Sequence, residues 1–294
     1  MEYPKGYYHL SSDGWKEGLL FHTIQEFAYG MILIGLLVLK YHLIILDFSL
    51  MPNHVHILLY GSGKDCTDAF MYFKNKLSGR LKKDGHTPLP ENYWFKLNPV
   101  SNPQQLKINY LYIDRNHFEK NMSVPGAYPW GAAYLFHSLL SKHINGTPAK
   151  NMSKRELERL TGSRIEIPED WEFHPTLGLL PKCFVRLSKF YDLFPTAKDY
   201  GTRIIKDYEA FVKISVQLDE QIEFTKEEID DIVNQILAKQ FPNQRIEGLH
   251  NPDRARICVL LHKTYNLTIS QISYAVKVSE YLVKQFLNSK DYGR

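Results

Sequence analysis

Apolar and polar residues follow two different periods along the N-terminal half of the chain. Short apolar or alternating runs predict strands, because strand side chains point to opposite faces in turn, and longer runs at helical spacing predict helices. The predicted strands are Tyr7–Ser11, Ile44–Phe48, His54–Tyr60 and Phe95–Val100. The predicted helices are Gln25–Lys40, Asp68–Lys83 and a third that begins at Pro103 with Asn102 as its N-cap.

The order of these elements, βαββαβα, predicts an α+β fold of the ferredoxin-like split-βαβ type, in which helices back an antiparallel sheet. A change in composition across residues 142–164 predicts a domain boundary. We therefore expect an α+β domain over residues 1–145, a helical linker domain over residues 146–244 and a third domain over residues 245–294. The chain after residue 145 is accordingly expected to be all-α.

The strand predicted from His54 to Tyr60 carries two imidazoles, His54 and His56, on one of its faces. Two neutral imidazoles a few Å apart are suitable ligands for a divalent metal. With 12 His among 294 residues, chance alone gives about 0.5 His-x-His pairs per chain. The pair by itself therefore favours two packed or surface histidines over two metal ligands. Only further residues of the sequence can favour a metal site.

The helix predicted from Pro103 has two stripes of residues at helical spacing. One stripe is typical of a core face and contains Leu106, Tyr110, Ile113 and His117. The other is polar and contains Gln105, Asn109, Tyr112 and Asn116. Tyr112 thus has an amide, that of Asn116, one turn later on its own face.

Two strings of residues resemble a known family. Met-Pro-Asn-His-Val-His (Met51 to His56) followed by Tyr-Ile-Asp-Arg-Asn (Tyr112 to Asn116) resembles the single-tyrosine HUH transposases, and among them the REP-associated tyrosine transposases of bacteria. Tyr128–Trp130 matches a short Tyr-Pro-Trp element of that family, and the resemblance covers residues 5–137. The sequence departs from the family pattern at His117, where proline is usual, and at Asp114, where a basic residue or imidazole is common.

The resemblance implies an enzyme that nicks single-stranded DNA and transfers the cut strand. It implies that His54, His56 and Asn116 bind a divalent metal and that Tyr112 attacks the phosphodiester to form a phosphotyrosine. Nitrogen and oxygen ligands without a thiolate suit Mg or Mn. Because a free tyrosine has a pKa of about 10, Tyr112 needs a base, which the sequence does not identify.

Composition predicts a folded cytoplasmic protein without a membrane span. The hydrophobic fraction is 44% and the charged fraction 23%, while a net charge of +4 and a pI near 8.7 permit nucleic-acid binding without requiring it. Three separated cysteines, Cys66, Cys183 and Cys258, make disulfides and a cysteine zinc site improbable. The apolar run Met31–Leu39 is too short to cross a bilayer, and we expect a buried helix there and no secretory signal before the first strand.

The helix after the His strand is basic. Its cations are Lys74, Lys76, Arg80, Lys82 and Lys83, with Tyr72 and Phe73 near its start. A solvated helix face is the simpler interpretation of such a stretch. Beside a DNA-cleaving site the same residues are candidates for following a phosphate backbone, with aromatic rings for base stacking.

The C-terminal region has the pattern of a helix-turn-helix. A helix over Pro252–Tyr265 carries Arg254 and Arg256, and two further helices over Leu267–Val276 and Val278–Leu287 follow. The predicted recognition helix would present four side chains to a major groove, those of Glu280, Tyr281, Lys284 and Gln285. Lys277 stands where such turns usually have glycine, and a plain helical hairpin is the alternative.

Two functional hypotheses follow from the sequence. In the first, the protein is an enzyme acting on single-stranded or hairpin DNA, with the C-terminal module binding duplex DNA. In the second, it is a domesticated DNA-binding regulator that does not cleave. A small-molecule metallohydrolase of the His-x-His type lacks further His and Asp ligands. A homodimer is left open, because Tyr112 could serve the metal of its own chain or that of a partner.

Overall fold

The structure is a computed structural model that describes residues 4–12, 18–119, 126–137, 140–206, 226–242, 244–265 and 267–289. The chain forms two compact units, Met1–Asp207 and Tyr208–Arg294. The first unit combines helices with antiparallel sheets, which confirms the mixed α+β class.

A four-stranded antiparallel sheet forms the centre of the first unit. Its strands are β1 (Gly6–Ser12), β2 (Ile44–Leu50), β3 (Val55–Gly61) and β4 (Phe95–Val100), in the order β2-β3-β1-β4. Helix α1 (Ile24–Tyr41) connects β1 to β2, α2 (Gly63–Lys83) connects β3 to β4, and α3 (Pro103–Glu119) follows β4. Each strand and helix predicted in this part of the chain is therefore present.

The two faces of the sheet differ in polarity. On one face the apolar pairs Leu10–Ile57 and Leu50–Val55 lie under α1 and α2, and Phe70 of α2 packs on Phe95 with ring centroids 4.3 Å apart. Directly opposed residues share a face. The other face is polar and lies under α3, with members His9, Ser11, Asp47, Ser49 and His56. The sheet thus separates α2 from α3.

Helix α1 begins with a capping box in which Thr23 and Glu26 bond each other's backbone N–H groups. By length and composition this helix could cross a membrane, with a mean hydropathy of 1.4. Over half of it, 56%, is buried inside the protein, and a buried core helix meets the same criterion. Its packing over the apolar face of the sheet agrees with the buried helix predicted around Met31–Leu39.

Residues 140–206 contain helices and a small second sheet. The helices are α4 (Lys154–Thr161), α5 (Ser188–Leu193) and α6 (Ala197–Lys206), and the antiparallel strands are β5 (Thr147–Pro148), β6 (Glu172–His174) and β7 (Gly178–Leu179). The prediction that the chain after residue 145 is all-α is therefore wrong. Strands of two or three residues are too short to give a period in the sequence.

The same region is part of the first unit, in contrast to the predicted boundary after residue 145. Val185 forms a parallel bridge with Ile45, and the Arg186 N–H donates to the Ile45 carbonyl at 2.8 Å, so this segment extends the edge of the main sheet. The composition change at residues 142–164 marks an irregular segment rather than the end of the unit.

The described elements of the second unit are helical. They are α7 (Lys226–Gln240), α8 (Asn251–Tyr265), α9 (Ile269–Val276) and α10 (Glu280–Asn288). Thr268 and Gln271 form a capping box before α9, and Ser279 caps α10. Lys277 ends α9 in the left-handed conformation with φ of 54°, and its ammonium lies 3.9 Å from the centre of the Tyr274 ring. The backbone therefore makes the turn that glycine usually makes, with lysine in its place.

Candidate active site

The backbone around Pro52 fixes the position of the two imidazoles. The N–H groups of Leu20 and Phe21 donate to the Pro52 carbonyl at 2.6 and 3.1 Å, and the Met51 N–H donates to the His54 carbonyl at 2.9 Å. Strand β3 begins at Val55, one residue later than predicted, so His54 lies in the turn. The His54 and His56 rings are 4.8 Å apart, nearly perpendicular.

The Tyr-Pro-Trp element lies at the end of β2, next to this turn. The Tyr128 hydroxyl donates to the Leu50 carbonyl at 2.7 Å, and the Leu50 N–H donates to the Trp130 carbonyl at 2.8 Å. Gly131 continues the contact by bridging Ser49. These bonds fix the residue immediately before Met51, so the element positions the His-bearing segment.

Helix α3 brings its polar stripe against the polar face of the sheet. The Asn116 side-chain Nδ2 lies 3.2 Å from His56 Nε2, although the two residues are 60 positions apart. The Tyr112 ring meets the His56 ring edge to face, with centroids 5.4 Å apart. The structure therefore brings together the two sets of residues that the sequence singled out separately.

His9 of β1 belongs to the same cluster and was missed in the sequence. Its Nε2 lies 3.2 Å from His56 Nδ1, and its ring is 5.8 Å from that of Tyr112. His9 lies on the predicted first strand, on the same face as Tyr7 and Ser11, but a single histidine in a strand does not indicate a functional site. Only the pairing of β1 with β3 shows its place.

The hydrogen bonds fix the form of His56. Burial lowers the pKa of His56 to about 3, so its imidazole is neutral. Because the Asn116 amide donates to Nε2, the ring proton is on Nδ1 and is donated to His9 Nε2. His9 therefore orients a neutral imidazole whose Nε2 lone pair faces Asn116.

His54 is oriented in a similar way by its neighbour in the chain. Its Nδ1–H donates to the Asn53 side-chain oxygen at 2.8 Å. That bond places the lone pair on Nε2, the form of histidine that binds metals.

The residues present fit a divalent metal. In the described part of the chain no group of three His, Cys, Asp or Glu side chains is arranged to hold a metal ion, and the third donor next to His56 is the amide of Asn116. Asn116 Oδ1 is buried and accepts no hydrogen bond from the described residues. A half-turn of this amide would place Oδ1 beside His56 Nε2, where the two atoms could bind the same divalent metal.

The two departures from the family pattern have structural partners. Asp114 accepts a hydrogen bond from the Tyr200 hydroxyl at 2.6 Å and is hydrogen-bonded to the side chain of Asp47. His117 stacks on Tyr128 with ring centroids 4.5 Å apart, and burial lowers its pKa to about 4. Both residues therefore pack α3 against its surroundings.

The cluster is closed to solvent. The exposed fractions of His56, Tyr112 and His9 are 0, 1 and 1%, and Asn116 is 7% exposed. Any substrate could reach the Tyr112 hydroxyl only after an opening that uncovers it.

The cations of α2 lie away from this cluster, on the other face of the sheet. Lys74 is buried and donates to the Glu91 carbonyl at 2.6 Å, and Lys76 donates to the Gly162 carbonyl at 2.7 Å. Arg80 pairs with Asp84 along the helix. The two remaining cations, Lys82 and Lys83, are exposed. The structure does not bring these residues together with Tyr112.

The candidate DNA-contacting residues of the second unit fall into two groups. Arg254 donates to the Leu249 and Glu247 carbonyls at 3.0 and 2.8 Å, so its guanidinium is used within the unit. The others are exposed, namely Arg256, Glu280, Tyr281, Lys284 and Gln285. Tyr281 is 70% exposed, which is unusual for so large a ring.

Comparison with known proteins adds little. No family model matches the chain, and no curated protein matches it. One similar solved structure is that of a REP-associated tyrosine transposase bound to a REP hairpin, with a TM-score of 0.37 and 14% identity over 46% of this chain and 81% of that chain. That likeness is too low to assign an activity, so the geometry of the site has to support the function.

Proposed function

We propose that this protein nicks single-stranded DNA and transfers the cut strand through a covalent bond to Tyr112, using Mg or Mn held by His54, His56 and Asn116. The observation that carries the proposal is the cluster of His56, Tyr112 and Asn116, assembled from two distant segments. The strand order β2-β3-β1-β4, with α1 and α2 as connections, supports a ferredoxin-like split-βαβ scaffold.

A divalent metal, when bound, neutralises the charge of the phosphodiester and polarises the scissile phosphate. The Tyr112 oxygen forms a bond to phosphorus, the bond from phosphorus to the leaving sugar oxygen breaks, and that oxygen takes up a proton. Attack by a strand hydroxyl on the phosphotyrosine then rejoins DNA and returns a proton to Tyr112. Because one ester replaces another of similar energy, ATP is not consumed.

The protein's own residues have distinct roles in this scheme. His54 and His56 offer neutral Nε2 lone pairs, Asn116 offers its amide oxygen, and His9 keeps the His56 ring in place by accepting its Nδ1 proton. His9 is thus a positioning residue.

The burial of Tyr112 favours a second candidate function, a DNA-binding protein that does not cleave. In that case His56, Tyr112 and Asn116 act as core residues, and DNA contacts the exposed side chains of α10, such as Tyr281 and Lys284. The two candidates differ in whether Tyr112 ever reaches a phosphate.

A covalent-capture assay distinguishes them. The purified chain is incubated with end-labelled single-stranded hairpin DNA and Mg or Mn, and the products are separated on a denaturing gel. We expect a protein–DNA band that is lost with a chelator and in Tyr112→Phe. Tyr110→Phe is the matched control, because Tyr110 lies in the same helix and its hydroxyl has no hydrogen-bond partner among the described residues. Tight binding without any covalent band would establish the non-cleaving alternative.

A further inference from the structure

A cavity of about 600 Å³ lies within the first unit, between α1, α2, α4 and the turn that joins β6 to β7. It lies on the side of the sheet that α1 and α2 cover, so it is separate from the cluster around Tyr112. Its volume is within the range of small-molecule sites, about 300–1,000 Å³.

The rim of this cavity is cationic. Arg80 and Lys83 of α2 and Arg159 of α4 line it, and no Asp or Glu is among the described residues of the lining. Lys83 and Arg159 are exposed, so both can move to meet a ligand. Arg80 pairs with Asp84 through its Nε–H, a contact that does not use its two terminal amino groups. Three cations, with no carboxylate among the described residues of the lining, favour an anion.

The floor of the cavity is aromatic and apolar. The Arg80 guanidinium lies 5.4 Å from the centre of the Tyr29 ring, and Tyr29 and Phe173 both line the space together with Ile32 and Leu160. Cations beside an aromatic and apolar surface suit a ligand that has a phosphate at one end and a flat ring at the other.

One wall offers a fixed hydrogen-bond donor. His174 Nδ1 accepts the backbone N–H groups of Thr176 and Leu177, each at 3.2 Å, so the ring proton is on Nε2. Gln25 and Thr147 add polar side chains to the lining. Gly178 holds this wall close to the backbone of Ala28 with φ of 72°, where a side chain would collide, so the cavity is pre-formed.

A second cationic hollow of about 420 Å³ lies one turn earlier on α2. Lys40, Lys76 and Arg164 line it with Tyr72, whose ring centre is 5.4 and 5.7 Å from the two lysine ammonium groups. Its one acidic neighbour among the described lining residues is Glu158. Two adjacent sites, each with cations beside an aromatic ring, match successive nucleotides better than one isolated ligand.

We propose that the cavity and the hollow beside it bind consecutive nucleotides of a single DNA strand, on the face of the sheet opposite Tyr112. Arg80, Lys83 and Arg159 bind a phosphate, and the base lies against the apolar floor of the cavity with its edge towards His174. The inference rests on the proposed function for its choice of DNA as ligand, and it gives the protein a strand-binding site separate from the cleavage site.

The test uses two double variants that change the net charge equally. In Lys83→Glu/Arg159→Glu both residues line the cavity. In Lys82→Glu/Arg155→Glu the neighbouring exposed residues of the same two helices are changed, and neither lines it. Binding of a labelled single-stranded oligothymidine to the full-length chain is measured by fluorescence anisotropy across a salt series, with a chelator present so that no cleavage occurs.

We expect the cavity variant to bind about tenfold more weakly at low salt than the control variant, with a salt slope lower by about 0.7 for each lost phosphate contact. Equal affinities and slopes for the two variants would overturn the inference. So would a loss of thymidine monophosphate binding in the cavity variant with unchanged oligothymidine binding, because the cavity would then be a free-nucleotide site.

The outcomes for this inference and for the proposed function are separate. If covalent capture on Tyr112 is normal and the two double variants bind alike, the second strand site alone is wrong. If no covalent band forms and binding still depends on Lys83 and Arg159, the cleavage function alone is wrong.

Discussion

Replacing Asp47 and Asp114 together by asparagine should remove a contribution that lowers the stability of the first unit as pH rises. The two carboxyls are buried and hydrogen-bonded to each other. Asp47 Oδ1 accepts the Phe48 N–H at 2.8 Å and Asp114 Oδ2 accepts the Tyr200 hydroxyl at 2.6 Å, which leaves one oxygen of each carboxyl without an N–H or O–H donor. A proton between these two oxygens satisfies both.

The sign of the effect follows from the raised pKa values. Burial raises the pKa of Asp114 to about 8 and that of Asp47 well above its usual range. The folded chain therefore keeps protons that the unfolded chain has released above its carboxyl pKa of about 3.9. The contribution of this pair to the free energy of unfolding should fall as pH rises from about 4 to about 8, by about 1.4 kcal/mol per pH unit for one shared proton, or roughly 3 kcal/mol between pH 5 and pH 7. His56 and His117, whose pKa values are lowered by burial, act in the opposite direction below about pH 6.5, so the pair's contribution has to be measured as a difference between variants.

Tryptophan fluorescence during urea unfolding measures the free energy of unfolding of the first unit alone. All Trp residues of the chain belong to that unit, at positions 15, 94, 130 and 171. In Asp47→Asn/Asp114→Asn neither side chain titrates, so the variant loses the proton uptake of the pair in the folded chain and that of the two free carboxyls in the unfolded chain. We expect the slope of its unfolding free energy against pH, between pH 5 and pH 7, to be more positive than that of the unsubstituted chain by about 1.4 kcal/mol per pH unit, the value for one proton. The control is Asp170→Asn/Asp192→Asn, which removes two exposed carboxyls. Equal slopes for the two double variants would refute the shared-proton interpretation.

Four further predictions follow from the same structure. Tyr200→Phe leaves Asp114 without its hydroxyl donor and should cost about 1–3 kcal/mol in urea unfolding; no loss would contradict that bond. Mn should raise the melting temperature of the full chain but not of His56→Ala, and an equal rise would place the metal elsewhere. His9→Ala should lower the affinity for Mn about 10- to 100-fold, measured from the Mn dependence of the melting temperature. His9→Gln can still accept the His56 proton and should lower that affinity less. Truncation after Gly248 should lower DNA affinity and flatten its salt dependence in binding titrations; an unchanged slope would exclude phosphate contacts by the removed helices.

The main elements of the first unit follow from the sequence because its strands and helices are long enough to show their periods. Helical spacing predicts that Tyr112 and Asn116 share a helix face, and the resemblance of the strings Met51 to His56 and Tyr112 to Asn116 to one family predicts that they form one site. What spacing cannot give is which strands pair, and so the contact of His9 with His56 was missed. The short strands β5–β7 were missed for a related reason. They are too short to show a period in the sequence, and only their pairing with one another identifies them as strands.

The positions of the basic residues on α2 show a different limit. The sequence placed five cations on one helix beside a proposed cleavage site. In the structure Lys74 bonds a backbone carbonyl and the helix lies on the other face of the sheet. Charge can be counted in a sequence, but whether a lysine ends in the core or on a DNA-facing surface depends on what packs against its helix.

The most direct test of the central proposal is to identify the residue that carries DNA after the reaction. The chain is incubated with single-stranded hairpin DNA and Mn, digested with nuclease and protease, and the peptides are analysed by mass spectrometry. We predict a nucleotide mass on the peptide that contains Tyr112, formed equally in Tyr110→Phe and absent from Tyr112→Phe. A nucleotide on another residue, or none on any peptide while DNA still binds, would contradict the assignment of Tyr112 as the nucleophile.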